Sequence, residues 1–371
     1  MLTALGALIF ASRFVLVTVA ARAQQELPEP PPLETPASPN LPDPLLPQIA
    51  ATVQGVTTRD IAALAKALNV DLLPAGATAG SSRNTLKPIG DLDGDGVPEL
   101  LLKWAVPVAT PGVAVAPLPD SGALWSVYLL SWDGAHWKAS RLVTGVAEYE
   151  PAVVNLGAAV GRALVLILPD RDSQFLYPAV FAIEGHAAAL LWDSQSEASR
   201  YQPLLGCEVS FRNAGRGPAE MLVTGRANPG LLEVEPRGHR GFRTRAVYRW
   251  DGKAFIPVKT VYVLNADYTI YRFIAALHLH DYSAAYALVA PAKFLQTDSP
   301  SLDVFRKYIE DNFSEFLGDA IFEAPEPPTG SPDSHIFVLT KPDARNTYHP
   351  AFSDDGKFLL TGLTRTHEAP D

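Results

Sequence analysis

The chain has 371 residues, a length typical of about two domains. Its 30 Lys and Arg residues are outnumbered by 40 Asp and Glu residues, so the net charge is −10, which argues against nucleic acid as a partner because phosphate binding requires a basic surface. The only cysteine, Cys207, excludes an internal disulfide, and its apolar neighbours predict a buried thiol rather than a reactive nucleophile.

The first 23 residues have the composition of an export signal. Apolar runs lie on both sides of Arg13, and Ala21-Arg22-Ala23 fits the small-residue cleavage site of a signal peptide. We therefore expect residues 1–23 to be a signal peptide and the protein to be secreted or periplasmic. Because Arg13 lies behind apolar residues, the alternative is that this segment is retained as a membrane anchor, which would then be the protein's membrane attachment.

The next segment, residues 24–48, is rich in proline. Its nine prolines favour extended polyproline II backbone and leave little apolar surface for a core, so we predict a disordered spacer. Beyond it, apolar residues at helical spacing predict a helix that is N-capped by Thr57 or Thr58 and ends near Asn69.

The most informative segment is the acidic loop, residues 91–99, with the sequence DLDGDGVPE. Carboxylates stand at loop positions 1, 3, 5 and 9, and glycines stand where the backbone has to turn sharply. Calcium takes about six to eight oxygen ligands, so this pattern predicts a Ca²⁺ site. The predicted ligands are the side chains of Asp91, Asp93, Asp95 and Glu99 and the carbonyl oxygen of Val97. The alternative is a solvated Asp/Gly-rich turn without metal, in which the four carboxylates repel one another.

The acidic loop is not an EF-hand, because position 12 of the loop, where an EF-hand has a bidentate Glu, is Leu102. Followed by Leu100-Leu101-Leu102, the loop instead resembles the calcium loop of FG-GAP and VCBS repeats, which occur in integrin α-subunit propellers and in many secreted bacterial proteins. The resemblance implies a propeller-like β fold with the acidic loop as its calcium site.

A repeated pattern of strands and turns follows. Trp-Asp-Gly occurs at 132–134 and again at 250–252 between strand-like segments, and Asp-Gly predicts a type I′ turn with both central residues at positive φ. A weaker copy, with Glu184-Gly185 as its turn, lies between them. We therefore predict three units of antiparallel strands between Lys87 and Leu264, which must stack because one unit cannot bury its own face.

The predicted fold is thus mainly β, a propeller-like stack of antiparallel units with a smaller α+β C-terminal domain. The stack, with its N-terminal helix, would span residues 49–266 as an incomplete propeller or as one completed by another part of the chain. In the last unit the acidic positions have become Asn213 and Arg216, and only Glu220 is left. We therefore predict one calcium site and not three.

Residues 267–365 change from strand to helix periodicity and predict the α+β domain. One helix is expected from Tyr271 to Leu279. A second is expected from Asp281 to Ala290, with Asp281 as its N-cap and Pro291 as its stop. A third helix is expected after Ser299 as its N-cap. Four strands are expected at 320–324, 335–340, 348–352 and 357–363.

Two resemblances bear on this domain. The segment from Ile274 to Pro291, followed by a Ser-capped helix, resembles the opening of small NTF2-like domains of exported bacterial proteins, which implies helices that cradle a curved sheet. The segment 350–360 resembles instead the Ser-Pro-Asp-Gly-Lys hairpin of TolB-type propeller repeats, which implies that the C-terminus supplies propeller material.

No catalytic motif converges in the sequence, which has no G-x-S-x-G, P-loop, H-E-x-x-H or Rossmann glycine pattern. His278 and His280 precede Asp281, but residues two apart on a helix point to different faces, so a shared metal is not expected. Asp170 and Asp172 flank Arg171 in a loop and are interpreted as a solvated turn.

These patterns predict an exported calcium-binding β-repeat protein that works as a binding or structural module at the cell envelope, with a protein or carbohydrate as its ligand. One alternative is a secreted hydrolase or lyase, whose pocket on the propeller face or in the C-terminal domain gathers residues such as His186, Asp170 and His278. The other is an adhesion or scaffold protein that multimerises through its repeats. The oligomeric state is not predicted.

Overall fold

The computed structural model describes residues 43, 45–74, 83–105, 124–170, 174–196, 199–213, 219–231, 241–319, 321–323, 337–341 and 344–367. The predicted signal peptide and nearly all of the proline-rich segment lie outside these residues, as do Arg216 and Asp172. The chain divides into two compact units. We call residues 31–225 with 245–260 the repeat unit, and residues 226–244 with 261–371 the C-terminal unit.

Strands dominate the described part of the chain. In chain order they are β1 Asp71–Leu72, β2 Thr85–Gly90, β3 Glu99–Ala105, β4 Trp125–Trp132, β5 Trp137–Val146, β6 Glu150–Asn155, β7 Arg162–Pro169, β8 Leu176–Glu184, β9 Ala187–Asp193, β10 Leu205–Asn213, β11 Ala219–Ala227, β12 Phe242–Trp250, β13 Phe255–Tyr262, β14 Ile321–Glu323, β15 Phe337–Lys341, β16 Ala344–Phe352 and β17 Leu360–His367. They form four sheets, with β1 to β5, β6 to β9, β10 to β13 and β14 to β17 in sequential order. Pairing is antiparallel, except that β1 runs parallel to β2.

The first and second sheets pack face to face in the repeat unit. Leu101 and Leu129 of the first sheet share a buried hydrophobic cluster with Leu164 and Leu166 of the second. Because neighbours along a strand point to opposite faces, the run Leu100-Leu101-Leu102 is buried on both sides. This explains why β3 is apolar throughout instead of alternating.

The other face of the first sheet is covered by two helices, α1 Leu46–Gln54 and α2 Ile61–Leu68. Leu64 of α2 lies in a buried cluster with Trp137 of β5. The indole Nε1 of Trp137 donates a hydrogen bond of 2.9 Å to the carbonyl of Thr58, between the two helices. The helices therefore close one end of the sheet stack.

Aromatic side chains join the second and third sheets. Trp192 of β9 makes an edge contact with Phe255 of β13, with ring centroids 5.5 Å apart, and Tyr201 lies 5.4 Å from Tyr248 of β12. Aromatic contacts thus join the second and third sheets, as leucine contacts join the first and second. The predicted fold class, a mainly β protein of stacked antiparallel units, is confirmed.

The C-terminal unit combines the fourth sheet with helices around an aromatic core. Its helices are α3 Ala266–His278, α4 Tyr282–Tyr286, α5 Pro291–Phe294, α6 Leu302–Asn312 and a short 3₁₀ helix Ser314–Leu317. Phe273 of α3 and Phe305 of α6 are buried with Phe337 and Tyr348 of the sheet. The segment that resembles a TolB-type hairpin forms the β16–β17 turn of this sheet.

The turns at Trp-Asp-Gly differ from the predicted type I′ form. Gly134 has a φ of 97°, but Asp133 does not have a positive φ. Its Oδ1 instead accepts hydrogen bonds from the backbone N–H groups of Ala135 and His136, at 2.9 and 2.7 Å. The aspartate therefore closes a four-residue loop with its own side chain.

The same four-residue loop recurs in the third sheet. Asp251 Oδ1 accepts from the N–H groups of Lys253 and Ala254, each at 2.8 Å. The type I′ turn occurs instead in the second sheet, where Gly185 and His186 have φ values of 55° and 65° between the paired residues of β8 and β9.

Helix starts are the other point of difference. The N-cap of α2 is Asp60, whose Oδ1 accepts from Ala62 N–H at 2.9 Å, so the prediction of Thr57 or Thr58 was wrong. Asn69 ends this helix as predicted, with a φ of 54°. Helix α1 was not predicted, and it begins inside the segment interpreted as spacer because Pro47 is accepted in a first helical turn.

In the C-terminal unit, the predicted N-cap Asp281 is confirmed, since its Oδ1 accepts from Ala284 N–H at 2.9 Å. The predicted N-cap Ser299 is wrong. Helix α6 is capped by Ser301, whose Oγ accepts from Val304 N–H at 3.2 Å. Pro291, predicted as a stop, also begins α5.

Candidate metal centre

The acidic loop joins β2 to β3 in the first sheet. Three glycines in or beside it, Gly90, Gly94 and Gly96, have φ values of 107°, 85° and 84°. Residues with a Cβ rarely adopt this region, so the tight path of the loop requires glycine at these positions. The path is thus a property of the local sequence, and it turns the alternate aspartates toward the loop's own backbone.

The aspartates hold the loop by accepting hydrogen bonds from its amides. Asp91 accepts from Gly94 N–H through Oδ1 at 2.6 Å and from Gly96 N–H through Oδ2 at 3.1 Å. Asp93 Oδ1 accepts from Asp95 N–H at 3.1 Å, and Asp95 Oδ1 accepts from Val97 N–H at 2.7 Å. These bonds fix the carboxylates without supplying a full counter-charge.

Glu99 is the buried member of the group. Its residue is 1 % exposed, and its Oε2 accepts a 2.5 Å hydrogen bond from Leu92 N–H. The pKa of Glu99 is raised from 4.5 to about 7, chiefly because the carboxylate is buried. Repulsion by the three loop aspartates also raises this pKa, while the hydrogen bond from Leu92 lowers it. A cation bound among these groups would remove that repulsion.

Three of the predicted ligands converge. The carboxylate oxygens of Asp91, Asp93 and Glu99 lie within 4.8 Å of one another. Two oxygens bound to one calcium ion at about 2.3–2.6 Å lie at most about 5 Å apart, so this spacing fits a single ion. In the part of the chain that the structure describes, no other set of three acidic, His or Cys residues converges in this way.

The other two predicted ligands are not part of that group. The Asp95 side chain is exposed and is bonded to Val97 N–H. Val97 is itself 5 % exposed, because its side chain packs in the core of the first sheet. The Asp95 carboxylate and the Val97 carbonyl stay predictions as ligands.

Two residues of the second sheet contact the acidic loop, and sequence reasoning did not place them there. Arg162, the first residue of β7, donates from Nη1 to the carbonyl oxygen of Asp91 at 2.8 Å. The Nδ1 atom of His186 lies 3.0 Å from Asp93 Oδ2. The only sequence signal for His186 is that it directly follows Glu184-Gly185 at a predicted turn. Residues other than glycine rarely adopt positive φ in such turns.

Glu220 of the third sheet, the counterpart of Glu99 in the repeat, has a different environment. Arg249 Nη2 lies 2.9 Å from Glu220 Oε1, and Arg212 Nη2 lies 4.0 Å from its Oε2. Two guanidinium groups thus supply the positive charge here. That the third sheet binds no calcium stays a prediction.

The remaining candidate residues each have separate contacts. Asp170 Oδ1 accepts from Gln174 N–H at 2.8 Å, which makes it a turn-closing residue. His278 lies 3.2 Å from the Gly318 carbonyl, and His280 lies 3.2 Å from the His278 carbonyl. Cys207 is half-buried, and burial raises the pKa of its thiol, which disfavours the nucleophilic thiolate.

Comparison with known proteins finds no matching family model, no matching curated sequence and no matching solved structure. The resemblances to FG-GAP and VCBS repeats and to NTF2-like domains therefore stay predictions. Within the described ranges, none of the helices is both long and apolar enough to cross a membrane.

Proposed function

We propose that this chain is an exported calcium-binding β-repeat protein that acts as a binding or structural module at the cell envelope. The observation that carries the proposal is the convergence of the Asp91, Asp93 and Glu99 carboxylates within 4.8 Å at the start of β3. Their ligand chemistry is all oxygen, which suits a hard cation. Calcium accepts irregular coordination geometries, so it suits this group better than the smaller magnesium ion, which demands a near-ideal octahedron.

The proposed role of the ion is to stabilise the loop and the strands on both sides of it. Extracellular calcium modules bind with dissociation constants of about 10⁻⁴ to 10⁻³ M. An ion that binds only the folded state stabilises it by about 1.4 kcal/mol at ten times its dissociation constant. This amount is a useful fraction of the 5–15 kcal/mol that is typical of folded domains.

The proposal is tested by thermal melting of the chain from residue 24 in millimolar calcium and in excess EGTA. We expect calcium to raise the melting temperature by several degrees, because the shift per kcal/mol in a chain of this size is about 2–4 °C. The double substitution Asp93→Ala with Asp95→Ala should abolish that shift.

The matched control is Asp354→Ala with Asp355→Ala, in the Asp-Asp-Gly turn of the fourth sheet. Asp355 closes that turn by hydrogen bonds to Ser353 and Lys357, so this pair lowers stability without contacting the acidic loop. Its calcium shift should equal that of the native chain. Identical melts of the native chain with calcium and with EGTA would contradict the proposed function.

A further inference from the structure

The turn between β8 and β9 places a histidine where glycine is the usual residue. His186 is the second central residue of a type I′ turn and has a φ of 65°, a conformation that residues other than glycine adopt at a cost. Its backbone is also held from the first sheet, because Ser131 Oγ donates a 2.6 Å hydrogen bond to the His186 carbonyl. This hydrogen bond fixes the backbone position from which the imidazole ring extends.

The ring of His186 reaches a carboxylate of the metal centre. Its Nδ1 lies 3.0 Å from Asp93 Oδ2, and the two side chains are 33 % and 15 % exposed. The other oxygen, Asp93 Oδ1, accepts from Asp95 N–H within the loop. Asp93 is therefore held on one side by its own loop and on the other side by the second sheet.

Arg162 makes a second contact of the same kind. From the start of β7, its guanidinium donates to the carbonyl of Asp91 at 2.8 Å. Asp91 and Asp93 both belong to the converging group. The two contacts made by the second sheet are therefore both with residues of the metal centre. The acidic loop of the first sheet is thus held in place by the second.

We infer that His186 is a positioning residue of the metal centre, and that the acidic loop with its ion is a clasp between the first and second sheets. The inference rests on the proposed calcium site. Partners that orient a ligand carboxylate typically change metal affinity by about 10–100-fold when they are removed. By reciprocity, if packing of the second sheet favours ion binding, ion binding favours that packing by the same factor.

The test compares two histidines in the same backbone conformation. His186→Gly removes the ring and relieves the turn, since glycine is preferred at this position. His280→Gly is the control, because His280 also has a positive φ, of 57°, while its Nδ1 lies 3.2 Å from the nearby carbonyl of His278 in the C-terminal unit. Calcium affinity of each variant is measured by titration calorimetry with calcium chloride.

We expect His186→Gly to weaken calcium binding at least about tenfold and His280→Gly to leave it unchanged. Because both substitutions relieve a turn, a loss of affinity in the first alone cannot come from a general change in stability. Equal affinities of the native chain and His186→Gly would overturn the inference while leaving the proposed function intact. A native chain that binds no calcium would overturn both.

Amide hydrogen exchange tests the clasp separately. In the native chain, calcium should slow exchange in residues 162–168 and 185–187 of the second sheet as well as in the acidic loop. In His186→Gly at saturating calcium, the slowing should be confined to the loop. Calcium protection confined to residues 91–99 in the native chain would overturn the clasp.

Discussion

At the scale of single residues, Glu99 has the least favourable electrostatic environment of the acidic loop. It is buried, it faces three aspartates, and its pKa is raised to about 7. The Gly-rich path of the loop and the apolar β3 bring this about together, since the carboxylate lies at the point where the exposed loop becomes a buried strand. At neutral pH, a carboxylate in this environment destabilises the folded state unless a cation or a bound proton neutralises it.

This environment predicts a pH dependence of stability in the absence of calcium. Below pH 4.5 the Glu99 carboxyl is protonated in both states, and between pH 4.5 and about 7 only the unfolded state ionises, so stability falls as pH rises through that window. The loss amounts to up to about 3 kcal/mol. Urea denaturation in EGTA at several pH values measures it.

Glu99→Gln is the informative variant for this prediction, because glutamine keeps the shape and the acceptor for Leu92 N–H but has no titrating charge. The fall in stability between pH 4.5 and 7 should be smaller in this variant than in the native chain. The contributions of carboxylates far from Glu99 are the same in both proteins and cancel, so the difference reports Glu99 together with its coupling to the three loop aspartates. Parallel pH profiles would show that Glu99 carries no such penalty.

At the scale of elements, helix caps show how a local rule is correct in kind and wrong in position. Ser299-Pro300 has the pattern of an N-cap followed by proline, yet Ser301 is the residue that accepts from the helix amides. We expect Ser301→Ala to destabilise the protein by about 1 kcal/mol. Ser299→Ala, the matched control, should change stability by less than about 0.5 kcal/mol in the same urea experiment.

A comparable loss in Ser299→Ala would restore the cap that the sequence pattern suggested. The backbone conformation decides which of the two serines accepts from the helix amides, and sequence alone does not report that conformation. Two candidates two residues apart satisfy the same composition rule. Caps such as Asp281, with no rival nearby, were predicted correctly.

The turns show a related limit of prediction. Two copies of Trp-Asp-Gly correctly placed the β4–β5 and β12–β13 hairpins, because Asp and Gly are turn residues in any geometry. The turn type was wrong because Asp133 satisfies two amides with its side chain and extends the loop to four residues. The turn type therefore depended on side-chain hydrogen bonds, which residue preferences for turns do not report.

At the scale of the whole molecule, the repeat unit depends on the cluster shared by the first and second sheets. Leu166 is fully buried in it, whereas Leu190 of the same sheet is 49 % exposed. We expect Leu166→Ala to cost about 2–5 kcal/mol, since it leaves a cavity, and Leu190→Ala to cost under about 1 kcal/mol. Urea denaturation measures the free energy of unfolding of both variants. Equal losses in the two would contradict the conclusion that packing between the first and second sheets stabilises the repeat unit.

The fold and the candidate site were accessible from sequence to different extents. The repeated pattern of strands and turns predicted the stacked sheets. The alternate carboxylates of the acidic loop predicted five calcium ligands, of which Asp91, Asp93 and Glu99 lie close together. The contacts of Arg162 and His186 were not predicted, because they join residues far apart in the chain and depend on how the sheets pack. Helix α1 was missed because its only proline, Pro47, belongs to the proline-rich run that was interpreted as spacer.

The environment of Glu220 has one further consequence. Arg249 and Arg212 are counterions that are covalently part of the chain, so Glu220 of the third sheet is neutralised without any ion from the medium. In the first sheet, the charged groups that act on Glu99 are instead the three aspartates of the acidic loop, which repel it. Under the proposed function, the first sheet therefore responds to the ion content of the medium, whereas the third sheet does not.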